Sequence, residues 1–430
     1  MKPVMSADIV IIGGGVMGTA TAYELTKAGL DVVLCEMRNL GSGASGRCGG
    51  MICHCYGREN NLDRVEERLK LTRYNTEMLK KTQEELDIDY HVRITGLLDV
   101  WINEEEAEEG KRLYEMEAAK GFTDEKQDIK LLDRKETLEV MPTLNPDLVY
   151  GSRFRQEDGN LSPYQLCQSL GWGAQKKGAK ILTHTKVDKI VIEDDKVCGV
   201  ETDKGYIACK WVLNAANGWA KNFGGETSVI TPIREIACVT EPIGPVPPMP
   251  FEMQYGGQFA YGGTQTATGN ITIGGPAHPR EKRVGFYNET IWMDEVRRLG
   301  NYMTGIFPKL KDVKMIRSWV GTMGFVPDAQ PMIGKSTLTE GLLIAAGFVA
   351  GISLEFAVAR IIKELITLGE VEWDIDMSLY DPGRFLNNKD WAAFKWPYPR
   401  DIGISGDYSW AYKQGKGDEF QIPYDLTAKR

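Results

Sequence analysis

The spacing of apolar residues at the start of the chain predicts a strand, a helix and a second strand. Residues 8–12 form a short apolar run that ends in glycines, which is typical of a buried parallel strand. A helical pattern follows over 16–28 and stops at Gly29, and residues 31–35 form a second apolar run. This order predicts a βαβ unit, the repeating piece of a parallel sheet.

Helical and strand-like patterns alternate along the rest of the chain. Amphipathic or charged patterns predict helices near 62–85, 104–120, 164–177, 286–306 and 352–368. Apolar runs or alternating positions predict strands near 94–102, in a β-meander over 181–213, in the Gly- and Pro-rich stretch 229–275, and near 314–320 and 342–346. This mixture predicts the α/β (α+β) class.

Composition and charge narrow the range of partners. Hydrophobic residues make up 42% and charged residues 26% of the 430 positions, as in ordinary globular proteins, and this length predicts two intertwined domains. The net charge of −9 argues against nucleic acid as the main partner. No stretch has the roughly 18 apolar residues of a transmembrane segment, and the N-terminus lacks a signal-peptide pattern. We therefore expect a cytoplasmic protein.

The tail of the chain, residues 373–430, is rich in aromatic residues and has little periodicity. Trp391, Trp396 and Trp410 lie in it together with several tyrosines. So many aromatic side chains are not expected to remain in water. We expect the tail to pack onto the body of the protein, and docking on a partner subunit is the alternative.

The turn between the first strand and the first helix carries the glycines of a dinucleotide-binding site. Gly13, Gly15 and Gly18 form G-x-G-x-x-G, and Glu36 ends the second strand. These glycines permit a tight turn, close approach of a pyrophosphate and close packing of helix on strand. The helix N-terminus would face the diphosphate, and the Glu36 carboxylate would accept hydrogen bonds from the adenosine ribose.

The next loop distinguishes between the two dinucleotides that bind such a unit, FAD and NAD. Residues 41–50 read GSGASGRCGG and offer a second stretch of exposed amides and hydroxyls. The ribityl-diphosphate chain of a flavin needs more donors than one helix end supplies. NAD-dependent dehydrogenases usually continue with another βα unit instead. The loop therefore favours FAD.

Several segments in the same order resemble the D-amino-acid-oxidase/sarcosine-oxidase superfamily. Besides the two glycine motifs, they are DGNLSP at 158–163, VLNAANGWA at 212–220, RSWVG at 317–321, PDAQPMIG at 327–334 and AAGF at 345–348. The resemblance implies a discontinuous Rossmann-like FAD-binding domain and a smaller substrate domain with an antiparallel sheet. We assign 1–90, 150–228 and 312–372 to the first domain and 91–149 and 229–311 to the second.

Within this superfamily, SGRCGG, NAANGWA and YDPGRF at 380–385 are most similar to the β subunits of dye-linked L-proline dehydrogenase and heterotetrameric sarcosine oxidase. These proteins oxidise a secondary amine by hydride transfer to FAD and give an imine that hydrolyses. The resemblance also implies partner subunits that carry electrons onward, and a second flavin at a subunit interface.

The motif and the resemblance together give an expected set of FAD contacts. Val187 is implied as a backbone contact to the adenine, and Ser42, Ser45 and Arg47 as contacts to the diphosphate and ribityl chain. The expected cofactor-binding residues are Gly13, Gly15, Val16, Met17, Gly18, Glu36, Met37, Arg38, Ser42, Ala44, Ser45, Arg47, Cys48, Gly49, Gly50, Met51, Val187, Ala215, Ala216, Gly218, Trp219, Gly321, Gly347, Val349, Ala350, Gly351 and Ile352.

The chain departs from the family pattern where relatives hold substrate. Met323 occupies the position of the arginine that binds the substrate carboxylate in D-amino-acid and glycine oxidases. Gly321 occupies that of the cysteine that binds flavin covalently in monomeric sarcosine oxidases, so we expect non-covalent FAD. Leu354 replaces their lysine, and 347–352 lacks the histidine of the common GFSGHG. The α-amino-acid substrates of these relatives therefore cannot be assigned to this chain from the resemblance.

Five residues are candidates for the substrate face of the flavin. Hydride transfer requires mainly orientation and a dry site, for which we consider His54, Tyr56, Tyr255, Tyr261 and Arg317. His54 could accept a proton near neutral pH or be a loop histidine bonded to backbone. The tyrosines at 255 and 261 could instead pack in the sheet. Arg317 could pair with a substrate carboxylate or brace the flavin segment.

Three of the eight cysteines cluster in one loop, at 48, 53 and 55. Their C-x4-C-x-C spacing lacks a fourth nearby ligand and fits neither zinc nor common iron–sulfur patterns. We expect them to pack near the flavin, with a redox or metal role as the alternative.

The sequence thus predicts an FAD-dependent dehydrogenase that oxidises the C–N bond of a small amine or amino acid, with secondary amines such as proline or sarcosine favoured. Two alternatives remain open. One is an oxidase that gives hydrogen peroxide, and the other is a flavin-carrying electron-relay subunit without its own substrate site.

Overall fold

The apolar runs at the start of the chain form the centre of a parallel sheet in the computed structural model. The structure describes residues 2–54, 62–121, 129–244, 250–255, 258–275, 287, 289–328 and 330–386. The side chains of residues 62–63 and 252–261 are outside this description.

The strands and helices are numbered in chain order. The strands are β1 Met5–Ile12, β2 Val32–Cys35, β3 Met51–Ile52, β4 Leu97–Trp101, β5 Ile129–Leu132, β6 Gly151–Arg155, β7 Gly159–Asn160, β8 Lys180–Leu182, β9 Val187–Glu193, β10 Lys196–Thr202, β11 Gly205–Asn214, β12 Thr231–Pro242, β13 Phe251–Tyr255, β14 Gln258–Gln265, β15 Asn270–Gly275, β16 Met315–Phe325, β17 Met332–Lys335 and β18 Leu342–Ala346. The helices are α1 Val16–Lys27, α2 Leu62–Leu86, α3 Glu104–Ala119, α4 Arg134–Val140, α5 Pro163–Lys176, α6 Met293–Ile306 and α7 Glu355–Thr367.

The first sheet has the strand order β17-β18-β11-β1-β2-β8, with β10 and β9 continuing from β11. The pairs β18–β11, β11–β1, β1–β2 and β2–β8 are parallel. Strand β1 is central, and its residues Ile9, Val10 and Ile11 are fully buried because both faces of the sheet are covered. Helices α1, α5 and α7 pack together on one face. This sheet confirms the predicted βαβ unit.

The second sheet has the order β16-β12-β15-β14-β13-β4-β6-β5. Its pairs are antiparallel except β13–β4, which is parallel. Its longest pairing joins β12 to β16, with Thr231 opposite Phe325 and Arg234 opposite Thr322. The α/β class with an antiparallel second sheet is therefore confirmed.

Strand β16 lies within the range 312–372, which the sequence assigned to the FAD-binding domain, yet it forms the edge of the second sheet. The ladder with β12 extends over almost the whole of β16, so hydrogen bonding places the strand there. Helix α6 begins at Met293, later than the expected start near residue 286. The division of the chain into two domains stays a prediction.

The described part of the tail, residues 373–386, packs onto the body. The Trp373 ring lies 4.9 Å from that of Tyr74, and the Arg360 guanidinium lies 4.4 Å from the Trp373 ring. Tyr380 and Phe385 are buried. The tryptophans at 391, 396 and 410 are outside the described residues. Within those residues, no helix combines the length and the apolar character needed to cross a bilayer.

Candidate active site

A cavity of about 430 Å³ lies between the two sheets. The end of β1 and the start of α1 line one side of it, together with the loop after β2 and residues 348–352 before α7. Strands β12, β14, β15 and β16 of the second sheet line the other side. The cavity falls in the size range of small-molecule and cofactor sites, and it opens at the carboxyl ends of parallel strands, where open α/β sheets bind ligands.

Two glycines make the strand-to-helix turn possible. Gly13 has φ +107°, a conformation that side chains rarely adopt, and its amide donates to the Cys35 carbonyl at 2.9 Å. A Cβ on Gly18 would lie 1.9 Å from the Gly13 carbonyl oxygen. Gly18 therefore lets α1 pack directly against the turn, as the motif predicts, so that the amino end of the helix reaches the cavity.

The carboxylate of Glu36 is fixed at the end of β2. Its Oε2 accepts from the Gly14 amide at 2.8 Å and its Oε1 from the Arg38 amide at 2.8 Å. The residue is 9% exposed and lines the cavity. Each oxygen of this carboxylate accepts one amide hydrogen bond and still has a lone pair free to accept another. The predicted contact with ribose hydroxyls requires such lone pairs.

The loop after β2 is attached to the second sheet through Arg47. Its Nη1 donates to the Val320 carbonyl at 2.6 Å, and its own carbonyl accepts from Trp319 Nε1 at 2.7 Å. Glu289 accepts from Arg47 Nη2 at 3.0 Å and from Arg38 Nη1 at 2.8 Å. Burial opposes ionisation of Glu289, but the two arginines outweigh it and lower its pKa. The two sheets are therefore cross-linked at the rim of the cavity.

Asn217 positions the loop in front of α7. Its backbone has φ +45°, the left-handed region that Asn tolerates better than most residues. Its Oδ1 accepts from the amides of Gly347 at 3.0 Å and Phe348 at 2.8 Å, and its Nδ2 donates to the Phe348 carbonyl at 3.3 Å. Three hydrogen bonds from one side chain thus set the course of residues 347–352, of which 348–352 line the cavity.

Counting only side chains that the structure describes, the second sheet gives the cavity a mainly apolar wall with one acidic group. Glu235 of β12 lies opposite Gly321 of β16 in the ladder, and both line the cavity. Thr272 and Met323 line it as well. Among the lining residues of this sheet whose side chains are described, none is basic. Met323, which the resemblance to D-amino-acid and glycine oxidases puts at the position of their arginine, lines the cavity.

Most of the expected cofactor-binding residues line this one cavity, although contact with FAD itself stays a prediction. Those that line it are Gly13, Gly15, Val16, Met17, Glu36, Met37, Arg38, Ala44, Ser45, Arg47, Cys48, Gly49, Gly50, Met51, Val187, Ala215, Ala216, Trp219, Gly321, Val349, Ala350, Gly351 and Ile352. Gly18, Ser42, Gly218 and Gly347 are not among the lining residues. Ser42 Oγ instead accepts from the Asn39 amide at 3.1 Å.

His54 is directed into the protein rather than lining the cavity. It is 4% exposed, its Nδ1 lies 2.7 Å from Asp158 Oδ1, and its Nε2 lies 3.3 Å from Thr76 Oγ1. Burial works against ionisation of Asp158, but the charge of Arg155 and the bonds from His54 hold its pKa below the usual range. This geometry gives His54 a structural anchor, so contact with substrate stays a prediction.

The other candidate catalytic residues are not brought together in the described structure. Arg317 is exposed on β16, and its guanidinium lies 5.6 Å from the Trp319 ring, which favours the bracing interpretation. Tyr56 is outside the described residues, and the structure describes Tyr255 and Tyr261 only by their backbone in β13 and β14. Their catalytic roles stay predictions.

The cysteine cluster is described in part. Cys48 and Cys53 line the cavity, and Cys48 Sγ donates to the Ser45 carbonyl at 3.1 Å. Cys55 is outside the described residues. In the part of the chain that the structure describes, no group of three or more His, Cys, Asp or Glu residues is arranged to hold a metal ion.

Sequence reasoning missed the role of Asn217 and the lining residues of β12, β14 and β15. The signal for Asn217 was the dipeptide Asn217-Gly218 directly after a strand, since Asn-Gly marks turns with positive φ. Glu235 offered no local signal, because a single acid in a strand is usually solvent-exposed.

Comparison with known proteins places the chain in a family. The family model described as "FAD dependent oxidoreductase" (DAO) matches residues 8–365. Relatives include glycine oxidase of Geobacillus kaustophilus, 26% identical over 86% of this chain and 95% of its own length. Human mitochondrial dimethylglycine dehydrogenase is 27% identical over 88% of this chain. The mitochondrial pyruvate dehydrogenase phosphatase regulatory subunit of Mus musculus is 25% identical over 87%.

The chain spans only 44% and 43% of the length of these two mitochondrial relatives. Among solved structures, L-proline dehydrogenase from P. horikoshii has a TM-score of 0.77 and 30% identity, covering 89% of this chain and 98% of that one. Glycine oxidase from G. kaustophilus has a TM-score of 0.79 at 22% identity over 89% and 99%, which shows the fold.

These matches confirm the preference for FAD over NAD, and none of them supports a second flavin. The donors around the cavity fit an FAD, with the amino end of α1 for the diphosphate and Glu36 for the ribose. The chain belongs to the DAO family of FAD-dependent oxidoreductases.

Proposed function

We propose that the chain oxidises the C–N bond of a small amine or amino acid and that secondary amines such as proline and sarcosine are favoured. The observation that carries the proposal is one cavity lined by both the dinucleotide motif and the second sheet. Identity of 30% to L-proline dehydrogenase over nearly its full length supports the substrate class. FAD bound in the cavity would supply the two-electron acceptor.

The residues of the second sheet orient the amine and keep water away from the reacting carbon. Ala237, Trp319 and Met323 make the wall apolar, which favours a neutral amine as the reacting form. Glu235 lies in the same wall and attracts a cationic amine during binding. A substrate carboxylate meets no cation on the described side chains of this wall, so whether it is recognised at all becomes an experimental question.

Matched pairs of amines with and without a carboxylate test the proposal. Each compound, from proline and pyrrolidine to sarcosine and dimethylamine, is added anaerobically to the FAD-loaded protein while the absorbance of oxidised flavin is followed. Bleaching by a secondary amine supports the proposal, and the rate ratio within a pair shows whether the carboxylate is recognised. If a bound flavin keeps its oxidised spectrum with every amine and D-amino acid, the proposal is wrong.

We infer a dehydrogenase rather than an oxidase, because Leu354 replaces the lysine that relatives use for oxygen activation. Leu354 is 1% exposed, so its side chain is packed in the core rather than directed at a substrate. The electrons would then pass to partner subunits, as the similarity to multi-subunit enzymes suggests. Reoxidation of the reduced protein by air within the turnover time, with hydrogen peroxide formed in equal amount, would favour the oxidase instead.

A flavin-carrying subunit without its own substrate site is the second candidate. One relative, identical at 25% of positions over 87% of this chain, is named as a regulatory subunit. This candidate predicts tight FAD binding without bleaching by any amine, together with reduction by a co-purifying partner. The bleaching experiment therefore separates the two functions.

A further inference from the structure

Glu355 is a buried carboxyl group directly behind the cavity wall. It is the first residue of α7 and follows Gly351 and Ile352, which line the cavity. Its exposure is 0%. Oε1 accepts from Asn75 Nδ2 at 3.2 Å, whereas Oε2 is buried without a hydrogen-bond partner among the described residues. A carboxylate in this setting lacks the solvation that its charge needs.

Asn75 joins Glu355 to the cavity loop. Its Nδ2 also donates to the Ile352 carbonyl at 3.4 Å, and its Oδ1 accepts from the Phe356 amide at 2.7 Å. One amide of α2 therefore contacts both the carboxyl group and the last lining residue of the loop. A change in the charge of Glu355 consequently changes the electrostatic potential at the cavity wall, because only a few buried groups separate the two.

The titratable groups that face Glu355 from neighbouring elements are Cys48 of the cavity loop, Cys167 of α5 and Tyr90 after α2. Burial raises the pKa of Cys167 and of Tyr90, and the charge of Glu355 adds to each rise. They are therefore neutral near pH 7. His54, paired with Asp158, contacts the same helix α2 at Thr72 and Thr76.

Burial raises the pKa of Glu355 to about 8, against the opposing effect of its hydrogen bonds with backbone amides and with Asn75. Arg360, on the same helix, is paired with Glu364 and directed at Trp373. Among the described residues, no ion pair joins Glu355 to a cationic side chain. Geometry and burial agree that the group carries a proton at neutral pH.

We propose that Glu355 is a redox-linked proton site. It holds a proton at neutral pH, and its proton affinity rises when the flavin in the cavity is reduced. The proposal rests on FAD occupying the cavity, as the family implies, and not on the identity of the amine. A two-electron reduction that yields the anionic reduced flavin consumes two electrons and one proton. Where Glu355 is ionised beforehand, the same reduction consumes a second proton, which converts the carboxylate to the carboxylic acid.

The physical cause is repulsion between two negative charges across a dry wall. An ionised Glu355 would face the negative reduced flavin, so protonation and reduction favour one another by the same coupling free energy. Glu355 would thereby act as a positioning residue for charge, since it touches neither substrate nor the reacting atoms in the structure. Glu355 therefore affects the reduction of the flavin only at pH values near and above its own pKa.

The midpoint potential of the bound flavin as a function of pH tests this inference on the FAD-loaded protein. In the wild type we expect the proton uptake per two electrons to rise above one as the pH passes about 8. In Glu355→Gln, which keeps the size and the Asn75 contact but cannot ionise, the uptake stays at one. Glu355→Asp keeps a titrating carboxyl group and should retain the rise at a shifted pH.

Glu364→Gln is the matched control, because it removes a buried glutamate from the same helix about 13 Å further along its axis. It should keep the wild-type rise. If Glu355→Gln does not bind flavin, direct measurement of proton release and uptake on reducing the wild type at pH 7 and pH 9 still decides the matter. Equal uptake at the two pH values, or a rise that survives in Glu355→Gln, overturns the proposal. Failure of the amine experiments leaves it standing, since chemical reductants can reduce the flavin.

Discussion

Asn217 shows how one side chain can fix a cofactor loop. Its left-handed backbone turns the Asn214–Trp219 segment toward the loop before α7, and its amide group makes three hydrogen bonds with Gly347 and Phe348. Glycine at this position would adopt the left-handed backbone conformation easily but would make no side-chain hydrogen bonds to the loop. A residue with a nonpolar side chain would strain the backbone and would also lack those hydrogen bonds.

Substitution of Asn217 separates these two contributions. We expect Asn217→Gly to keep the turn and to weaken FAD binding by about a hundredfold, because it loses three hydrogen bonds that contribute about 1 kcal/mol each. Asn217→Ala should weaken it further, by about 1 kcal/mol of left-handed strain. FAD dissociation constants measured by flavin fluorescence provide the check. Equal affinity in all three proteins would mean that the loop is fixed by other contacts.

The raised pKa of Glu355 also predicts a pH dependence of stability. The folded state raises this pKa from 4.5 to about 8, so its contribution to the free energy of unfolding is complete below pH 4.5 and is lost as the pH rises through about 8. Glu355→Gln should lose less stability than the wild type between pH 5 and pH 8. Urea unfolding of the flavin-free protein across this range measures the difference, and the exposed Glu139→Gln serves as control. Parallel pH profiles for wild type and Glu355→Gln would refute the expectation.

At the scale of elements, the turn between β1 and α1 depends on close contact more than on any side chain. A methyl group on Gly18 would collide with the Gly13 carbonyl, which is backbone and cannot turn aside. We expect Gly18→Ala to cost about 1–3 kcal/mol of stability and to abolish measurable FAD binding. Gly300→Ala in α6, where the nearest atom is 3.8 Å away, should be neutral or stabilise by about 0.4–1 kcal/mol.

Thermal unfolding and flavin retention on a desalting column together test this contrast. If Gly18→Ala retained FAD like the wild type, the close approach of α1 to the turn would not be needed for the cofactor.

The elements that the sequence predicted well are those set by local pattern. The β1–α1–β2 unit and the N-terminal end of α3 follow from apolar runs and helical periodicity within about a dozen residues. The sheet to which β16 belongs did not follow, because its ladder to β12 joins residues far apart in the chain. Glu235 became a cavity residue for the same reason. The pairing of β12 with β16 places Gly321 beside Glu235, and the sequence around Glu235 does not indicate this pairing.

At the scale of the whole molecule, the tail is joined to the body by a buried ion pair. Arg384 Nε and Nη2 donate to the two oxygens of Asp328 at 2.9 and 3.0 Å, and Nη2 donates to the Gln330 carbonyl at 2.6 Å. The side chains are 13% and 11% exposed. Arg384 of the YDPGRF motif therefore holds Asp328 and Gln330, which precede β17, in place.

Removal of Arg384 leaves the Asp328 carboxylate buried without its partner. We expect Arg384→Ala to lower the free energy of unfolding by about 3–5 kcal/mol, and the double variant with Asp328→Asn to recover part of that loss. A double-mutant cycle, with the free energy of unfolding measured in urea, gives both the loss in Arg384→Ala and the recovery in the double variant. Additive losses would show that the pair is not coupled, and the tail would then be held by its aromatic contacts alone.

We propose that an amine reduces FAD bound between the two sheets. An anaerobic titration of the FAD-loaded protein with the most reactive secondary amine, added in amounts below the flavin concentration, tests it most directly. We expect one equivalent of amine to convert one equivalent of flavin to the reduced form and to yield one equivalent of the carbonyl product of imine hydrolysis. A flavin that remains oxidised while every candidate amine is recovered unchanged would contradict it.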